Sequence, residues 1–430
     1  MEKKNKIHFI GIGGIGMSGL ARYYLHEGWQ VSGSDINKTP NSEKLIAEGA
    51  QVAYEHSQTI IYDSQPELVV YTEGVTPETE GWAELEAARA AGIETINYFE
   101  ALGRVANEYY LIAVAGTHGK TTTTAMLADI LEEASYDPTV IVGSLRSKTG
   151  SNYRAGQSKY AVVEACEFKR DFLHLEPDVL VITNLEHEHV DYYKDLADVQ
   201  SAFAELVAKV PEDGYIIADT KDSNVAPVLA NAKATVINYT EYLNLERDLL
   251  QPGLHNRQNA AAAEAAASAI QIEERYSDEA LRNFIGTARR FEYKGEVHNA
   301  PVYDDYAHHP TEVAAAIAGA REVHPSKQLT VVFQSHTYSR TKALFDEFVS
   351  ALTKADRVLL LPIYAARETD DGSVSSEMLR DALLERGVEV ALFHTIEAVA
   401  LEVTETASSN DVVLCVGAGN VTKVSEILTK

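Results

Sequence analysis

Gly116-Thr117-His118-Gly119-Lys120-Thr121-Thr122 packs two glycines, a lysine and three hydroxyls into consecutive positions. A strand-like run, Tyr109–Ala115, precedes it, and Thr122–Glu133 has the composition of a helix. In a loop between such elements, backbone N–H groups face phosphate oxygens, the lysine neutralises charge and a hydroxyl can hold Mg2+. The expected ligand is ATP. The full eight-residue pattern asks for glycine at position 114, where this chain carries Val114, so the loop is a shortened variant.

Two further groups fall at the ends of expected parallel strands. Glu164 closes Ala161–Glu164, and Asn184-Leu185-Glu186-His187-Glu188-His189 follows Val179–Thr183. Ligands of open α/β sheets gather beyond the carboxyl ends of strands, so the loop, Glu164 and His189 are expected to converge. Carboxylate and hydroxyl oxygens suit Mg2+, and imidazole serves a second ion. No third soft ligand stands near His187 and His189, which argues against zinc. Two more clusters follow strands farther on: Asp304-Asp305-Tyr306-Ala307-His308-His309-Pro310-Thr311-Glu312 and His336-Thr337-Tyr338-Ser339-Arg340-Thr341. Aromatic, imidazole and guanidinium groups suit a small polar substrate bearing a carboxylate.

Near the N-terminus, Gly11-Ile12-Gly13-Gly14-Ile15-Gly16 satisfies G-x-G-x-x-G between an expected strand and helix. Such glycines permit a sharp turn and let an anion approach the helix N-terminus. Asp35 follows the next strand at a spacing that suits a ribose hydroxyl. On these residues alone the favoured reading is a dinucleotide-binding, NAD-dependent oxidoreductase, ahead of another nucleotide diphosphate or a purely structural turn.

The elements that must position these groups alternate apolar runs with helical stretches, the α/β signature. In the first segment Ile7–Ile10, Gln30–Ser32 and Leu68–Thr72 read as strands and Met17–His26 as a helix. Alanine-rich Asn259–Ile270 reads as a helix, as does Pro310–Val323, opened by proline. Pro301–Asp304, Leu329–Phe333, Arg357–Leu361 and Asp411–Val416 read as strands, the last three apolar enough for a buried parallel sheet. The 430 residues suggest about three domains. The net charge of −27 (37 basic against 64 acidic residues) argues against a nucleic-acid-binding surface. No run is long and apolar enough to insert into a membrane, and no export signal is read at the N-terminus. Two distant cysteines, Cys166 and Cys415, are expected to be reduced cytosolic thiols.

Taken together, these motifs and their order resemble the Mur ligase family over nearly the whole chain. The resemblance is carried by His8–Gly19, Gly33-Ser34-Asp35, Ala115–Thr124, Glu164-Ala165-Cys166-Glu167 and Thr183–Asp191. It continues through Gly253-Leu254-His255-Asn256 with Asn259, Arg289-Arg290-Phe291, Asp304–Glu312 and Phe333–Thr341. It implies three α/β domains. A Rossmann-like UDP-substrate domain would occupy 1–107 and a central P-loop ATPase-type domain with a parallel or mixed sheet 108–290. A Rossmann-like C-terminal domain at 291–430 would close on amino acid and nucleotide. The implied activity joins L-alanine to UDP-N-acetylmuramate through an acyl phosphate, with ATP and Mg2+, or Mn2+ in its place. A sister activity that recycles a muramyl tripeptide is the alternative within the family.

The implied site residues are specific. Gly11, Ile12, Gly13, Gly14, Ile15, Gly16, Asp35 and Thr72 would grip UDP; relatives often carry serine in the turn that reads Thr72-Glu73-Gly74-Val75 here. Gly116, Thr117, His118, Gly119, Lys120, Thr121 and Thr122 would hold ATP, with His255, Asn256, Arg290 and Asp304. Thr121, Glu164 and His189 would hold metal, while Tyr306, His308 and Arg340 would receive alanine. Lys120, Glu164, His189, His308 and Arg340 would carry the chemistry. Many relatives have Asp at position 188 and some have Arg at position 337, where this chain has Glu188 and Thr337. Asp198–Leu206 contains no lysine, so the carbamylated lysine of sister ligases is not expected. The implied enzyme is cytoplasmic, a monomer or homodimer, with no nucleic-acid partner.

Overall fold

Residues 5–189, 192–366 and 368–430 are described by a computed structural model. Val190 and Asp191, part of the resemblance above, lie outside them. The alternating apolar runs resolve into three sheets, each dominated by parallel pairing. Packing divides the chain into two units. The first comprises Met1–His187, Leu196–Tyr242 and Ala261–Leu281; the second comprises Glu188–Asp195, Leu243–Ala260 and Arg282–Lys430.

The first unit carries two sheets. One is built from β1 (Lys6–Ile10), β2 (Gln30–Ser34), β3 (Gln51–Ala53), β4 (Leu68–Tyr71) and β5 (Glu94–Asn97), in the order β3-β2-β1-β4-β5. All its pairings are parallel. Ile7 and Phe9 of β1 pack with the helix Ile15–His26 on one face, and Ile10 packs on the other. His8 also faces that second side. It is fully buried, its Nε2 lying 2.7 Å from Glu84 Oε1.

The other sheet contains β6 (Tyr110–Ala115), β7 (Thr139–Arg146), β8 (Ser151–Arg154), β9 (Tyr160–Glu164), β10 (Val179–Ile182), β11 (Tyr215–Ala218) and β12 (Thr235–Asn238). Their order is β12-β11-β10-β6-β9-β7-β8, and only the β7–β8 pair is antiparallel. Central β6 and β10 are apolar on both faces because helices or loops cover both. Their parallel register places Ala115 beside Ile182, so the phosphate loop and the run after β10 leave the sheet side by side.

The second unit holds β13 (Glu292–Val297), β14 (Ala300–Asp305), β15 (Gln328–Phe333), β16 (Arg357–Leu360), β17 (Glu389–Leu392) and β18 (Asp411–Val416). The order is β13-β14-β18-β15-β16-β17, with β13 alone antiparallel to its neighbour. Apolar clusters cover both faces. The helix Pro310–Val323 forms where its N-terminal proline predicts it; the alanine-rich helix, expected over Asn259–Ile270, begins earlier and runs Leu254–Ala269. Among the described residues no helix is long and apolar enough to cross a membrane.

Candidate active site

The phosphate loop runs from β6 into the helix Lys120–Glu133, whose N-cap is Gly119 at φ 82°. A left-handed cap of this kind favours glycine. Gly116 is constrained twice over. Its φ is +127°, and a Cβ there would lie 2.0 Å from Thr183 Oγ1. The loop is braced by the segment after β10. Thr183 Oγ1 donates to the His118 carbonyl at 2.6 Å. Asn184 grips the same residue, accepting from its N–H at 2.9 Å and donating to its carbonyl at 3.0 Å. Tyr239 donates to the Thr183 carbonyl at 2.8 Å, tying the brace to the end of β12.

Lys120 begins the helix and turns back over its own loop. Its Nζ donates to the carbonyls of Gly116 at 2.6 Å and Thr117 at 3.0 Å, and to Glu167 Oε1 at 3.0 Å. Burial alone would lower the lysine pKa, but the Glu167 carboxylate together with Cys166 and Glu164 raises it to about 12. One residue on, Thr121 Oγ1 donates to Glu164 Oε1 at 3.0 Å, while Glu164 Oε2 accepts from the Gly143 N–H at 2.7 Å. A hydroxyl and a carboxylate oxygen thus stand together on the first turn, the hard donor set that suits Mg2+. Thr122 is buried beside them.

The glycine turn of the first sheet is held equally tightly. Ser34 accepts through its carbonyl from the N–H groups of Gly11 at 2.8 Å and Ile12 at 3.1 Å. Asp35 Oδ2 accepts from Gly13 N–H at 2.9 Å, so this carboxylate shapes the turn itself. The Thr72 methyl packs against Gly11, and the Tyr98 ring covers Gly16, where a Cβ would come within 2.6 Å of it. Gly14 and Ile15 are exposed at the mouth of the turn.

In the second unit, Arg340 is held by Glu188, its Nε at 3.0 Å and Nη2 at 2.6 Å from the same oxygen. Burial would raise Glu188, but Arg340, with His308 beside it, keeps the carboxyl down at about 2. Tyr306 lies under the guanidinium groups of Arg289 and Arg290, 4.9 and 5.5 Å from its ring centre. His308 packs edge-on to Tyr306 at 5.3 Å and to His336 at 6.1 Å. Burial lowers the pKa of His308 and brings His336 down to about 4. Among the sequence candidates this arrangement gathers Tyr306, His308 and Arg340.

Asp304 is fully buried, accepting from Thr422 Oγ1 at 2.6 Å and Arg289 Nε at 3.2 Å. Arg290 faces Glu312 at 3.7 Å. Asn256 Nδ2 donates to the Pro252 carbonyl at 2.8 Å, and burial brings neighbouring His255 down to about 4. His189 stands in the second unit at φ 53°, its carbonyl accepting from Tyr192 and Tyr193. Sequence reasoning assigned no role to Glu167, Gly143, Thr183, Asn184 or Tyr239. A second acid three residues after Glu164 was visible in the sequence; the other four reveal their roles only through the fold.

Comparison with known proteins accounts for the fold. The description "Mur ligase family, catalytic domain" matches residues 6–110, "Mur ligase middle domain" matches 114–247, and "Mur ligase, glutamate ligase domain" matches 289–419. A UDP-N-acetylmuramate–L-alanine ligase of Clostridium botulinum (strain Langeland) is 39% identical over 453 residues, covering 99% of this chain and 98% of the relative. The enzyme of the same name from Caldanaerobacter subterraneus is 37% identical, covering 99% and 97%. The crystal structure of UDP-N-acetylmuramate-alanine ligase from Thermotoga maritima superposes with a TM-score of 0.81 at 29% identity, covering 98% of each chain. A murein peptide ligase from Psychrobacter arcticus shares the fold at a TM-score of 0.72. The chain belongs to the Mur ligase family. It is therefore an ATP-dependent ligase built on three α/β domains, as the sequence implied.

Proposed function

We propose that this enzyme joins L-alanine to the carboxylate of UDP-N-acetylmuramate, giving UDP-N-acetylmuramoyl-L-alanine, ADP and phosphate for peptidoglycan precursor synthesis. The phosphoryl-transfer part of the reading is carried by the first turn of the helix Lys120–Glu133, and the choice of substrates by the likeness to the alanine ligases over the full chain. Lys120 is paired with Glu167 and, one residue on, Thr121 with Glu164.

A carboxylate is a poor acylating agent. Transfer of the γ-phosphoryl group of ATP to a muramyl carboxylate oxygen forms an acyl phosphate and releases ADP. The uncharged amine of alanine then adds to the acyl carbon. The tetrahedral intermediate expels phosphate, leaving the amide, and the amine gives up a proton. Two anions must approach in the first step, so positive charge has to be concentrated there. Lys120 and the amides of Gly116, Thr117, His118 and Gly119 supply it in our assignment. Thr121 and Glu164 would hold one Mg2+, which would neutralise charge developing on the phosphoryl oxygens, and His189 is assigned to a second ion. The exposed mouth of the Gly11–Gly16 turn, with Asp35 and Thr72 behind it, is assigned to UDP. His255, Asn256, Arg290 and Asp304 are assigned to the nucleotide side. Tyr306, His308 and Arg340 are assigned to alanine, Arg340 through its carboxylate. We assign the three functions to 1–107, 108–290 and 291–430, and place the enzyme in the cytoplasm.

The test is phosphate release with ATP, Mg2+ and UDP-N-acetylmuramate, with and without each amino acid. Release should require UDP-N-acetylmuramate and be strongest with L-alanine. Release that ignores UDP-N-acetylmuramate would overturn the substrate assignment.

A further inference from the structure

Phosphoryl transfer requires the far end of a long substrate to meet ATP. The diphosphate of that substrate is assigned to the turn before the helix Ile15–His26, and ATP to the turn before the helix Lys120–Glu133. The two turns belong to different sheets, so something must fix the distance between them. Misplacement by about 1 Å costs on the order of a hundredfold in rate.

The antiparallel pair β7–β8 touches both sides. On β7, the Gly143 N–H donates to Glu164 Oε2 at 2.7 Å, and a Cβ on Gly143 would lie 2.7 Å from both oxygens of that carboxylate. The pairing register shifts between Ile141 and Arg146, which frees Gly143 to make this contact. At the end of β7, buried Arg146 forms ion pairs with Asp129 and with Glu132, the latter at 2.6 Å, both on the phosphate-loop helix. On β8, fully buried Asn152 reaches the other helix. Its Nδ2 donates to the Ile15 carbonyl and to Ser18 Oγ at 3.1 Å, and its Oδ1 accepts from Arg22 Nη1 at 2.5 Å. Gly19 makes room for it, since a Cβ there would sit 3.1 Å from Nδ2. Next to it, the Tyr153 ring packs edge-on to Tyr23 of the same helix. One short hairpin thus holds the metal carboxylate, the phosphate-loop helix and the first turn of the substrate helix, all within the first unit.

We propose that the β7–β8 hairpin registers the UDP-holding turn against the phosphate loop, with Asn152 as its positioning residue. The inference rests on the substrate assignment above. Asn152 meets the glycine turn only at the Ile15 carbonyl, so its loss should leave the other contacts of each ligand in place and spoil their alignment.

Steady-state kinetics of Asn152→Ala in the full-length enzyme test this. We expect kcat to fall about tenfold or more, with KM for ATP and for UDP-N-acetylmuramate each within about threefold of wild type. Ser18→Ala, which removes one acceptor of the Asn152 amide, should shift kcat in the same direction by less. If Asn152→Ala does not fold, Ser18→Ala decides by the same split. An unchanged kcat, or a rise confined to KM for UDP-N-acetylmuramate, overturns registration and leaves the substrate assignment standing. A wild type with no UDP-N-acetylmuramate-dependent phosphate release overturns both.

Discussion

In our assignment Lys120 concentrates the chemistry of the loop into one side chain. Its partners are two carbonyls and the nearly buried Glu167. Lys120→Ala should therefore lower turnover on the order of a hundredfold or more, since a lost preorganised charge contact costs about 3 to 4 kcal/mol at the transition state. Phosphate release by the purified variant measures this, and near-wild-type release would refute the role. The pH dependence has a definite sign. The folded pKa is raised from 10.5 to about 12, so the stabilisation from this lysine is fully present below 10.5 and fades as pH rises through about 12. Loss of activity on a milder alkaline limb would belong to another group.

At the scale of elements, the loop depends on glycine where the backbone leaves no alternative. Gly116→Ala must place a Cβ against Thr183 at positive φ. Overlap and backbone strain should together cost on the order of 3 kcal/mol or more. Gly28 provides the control: its φ is +80°, but nothing surrounds its Cβ position, so Gly28→Ala should cost only about 1 kcal/mol. Denaturant midpoints separate the two, and equal shifts would contradict the packing argument. This scale also shows what was legible in the sequence. Buried parallel strands such as β6 and β18 and the proline-opened helix Pro310–Val323 were readable because long apolar runs and a capping residue mark them locally. Strands β3, β5, β12 and β17 were not, being short, partly exposed and poor in pattern. The β7–β8 hairpin was also missed. Ser151-Asn152-Tyr153-Arg154 is polar, and Asn152 is buried only because a helix distant in sequence supplies its partners. The loop, Glu164 and the glycine turn could be found from spacing. The brace by Asn184 and Tyr239 could not, because it exists only once β10 lies beside β6 and β12 joins the sheet.

For the whole molecule, two separately packed units make a single unfolding temperature an incomplete description. Trp29 and Trp82, the two tryptophans, both lie in the first unit, so their fluorescence reports that unit alone. UDP-N-acetylmuramate at about 100 times its Kd should stabilise the tryptophan-monitored transition by about 2.7 kcal/mol. L-Alanine, assigned to residues of the second unit, should leave that transition nearly unmoved. A shift produced by L-alanine alone and absent with UDP-N-acetylmuramate would reverse the assignment of the units.

The inward turn of Lys120 has a further consequence. Because its ammonium already rests on two carbonyls and a carboxylate, an incoming anion must displace those partners before it gains the lysine. On the assignment of this loop to ATP, nucleotide capture would be an exchange of partners inside the loop. A triphosphate brings many oxygens to the exchange and can also engage the backbone amides; free orthophosphate brings few. On the same assignment, free phosphate is expected to bind there less readily than the triphosphate, which product-inhibition kinetics would test.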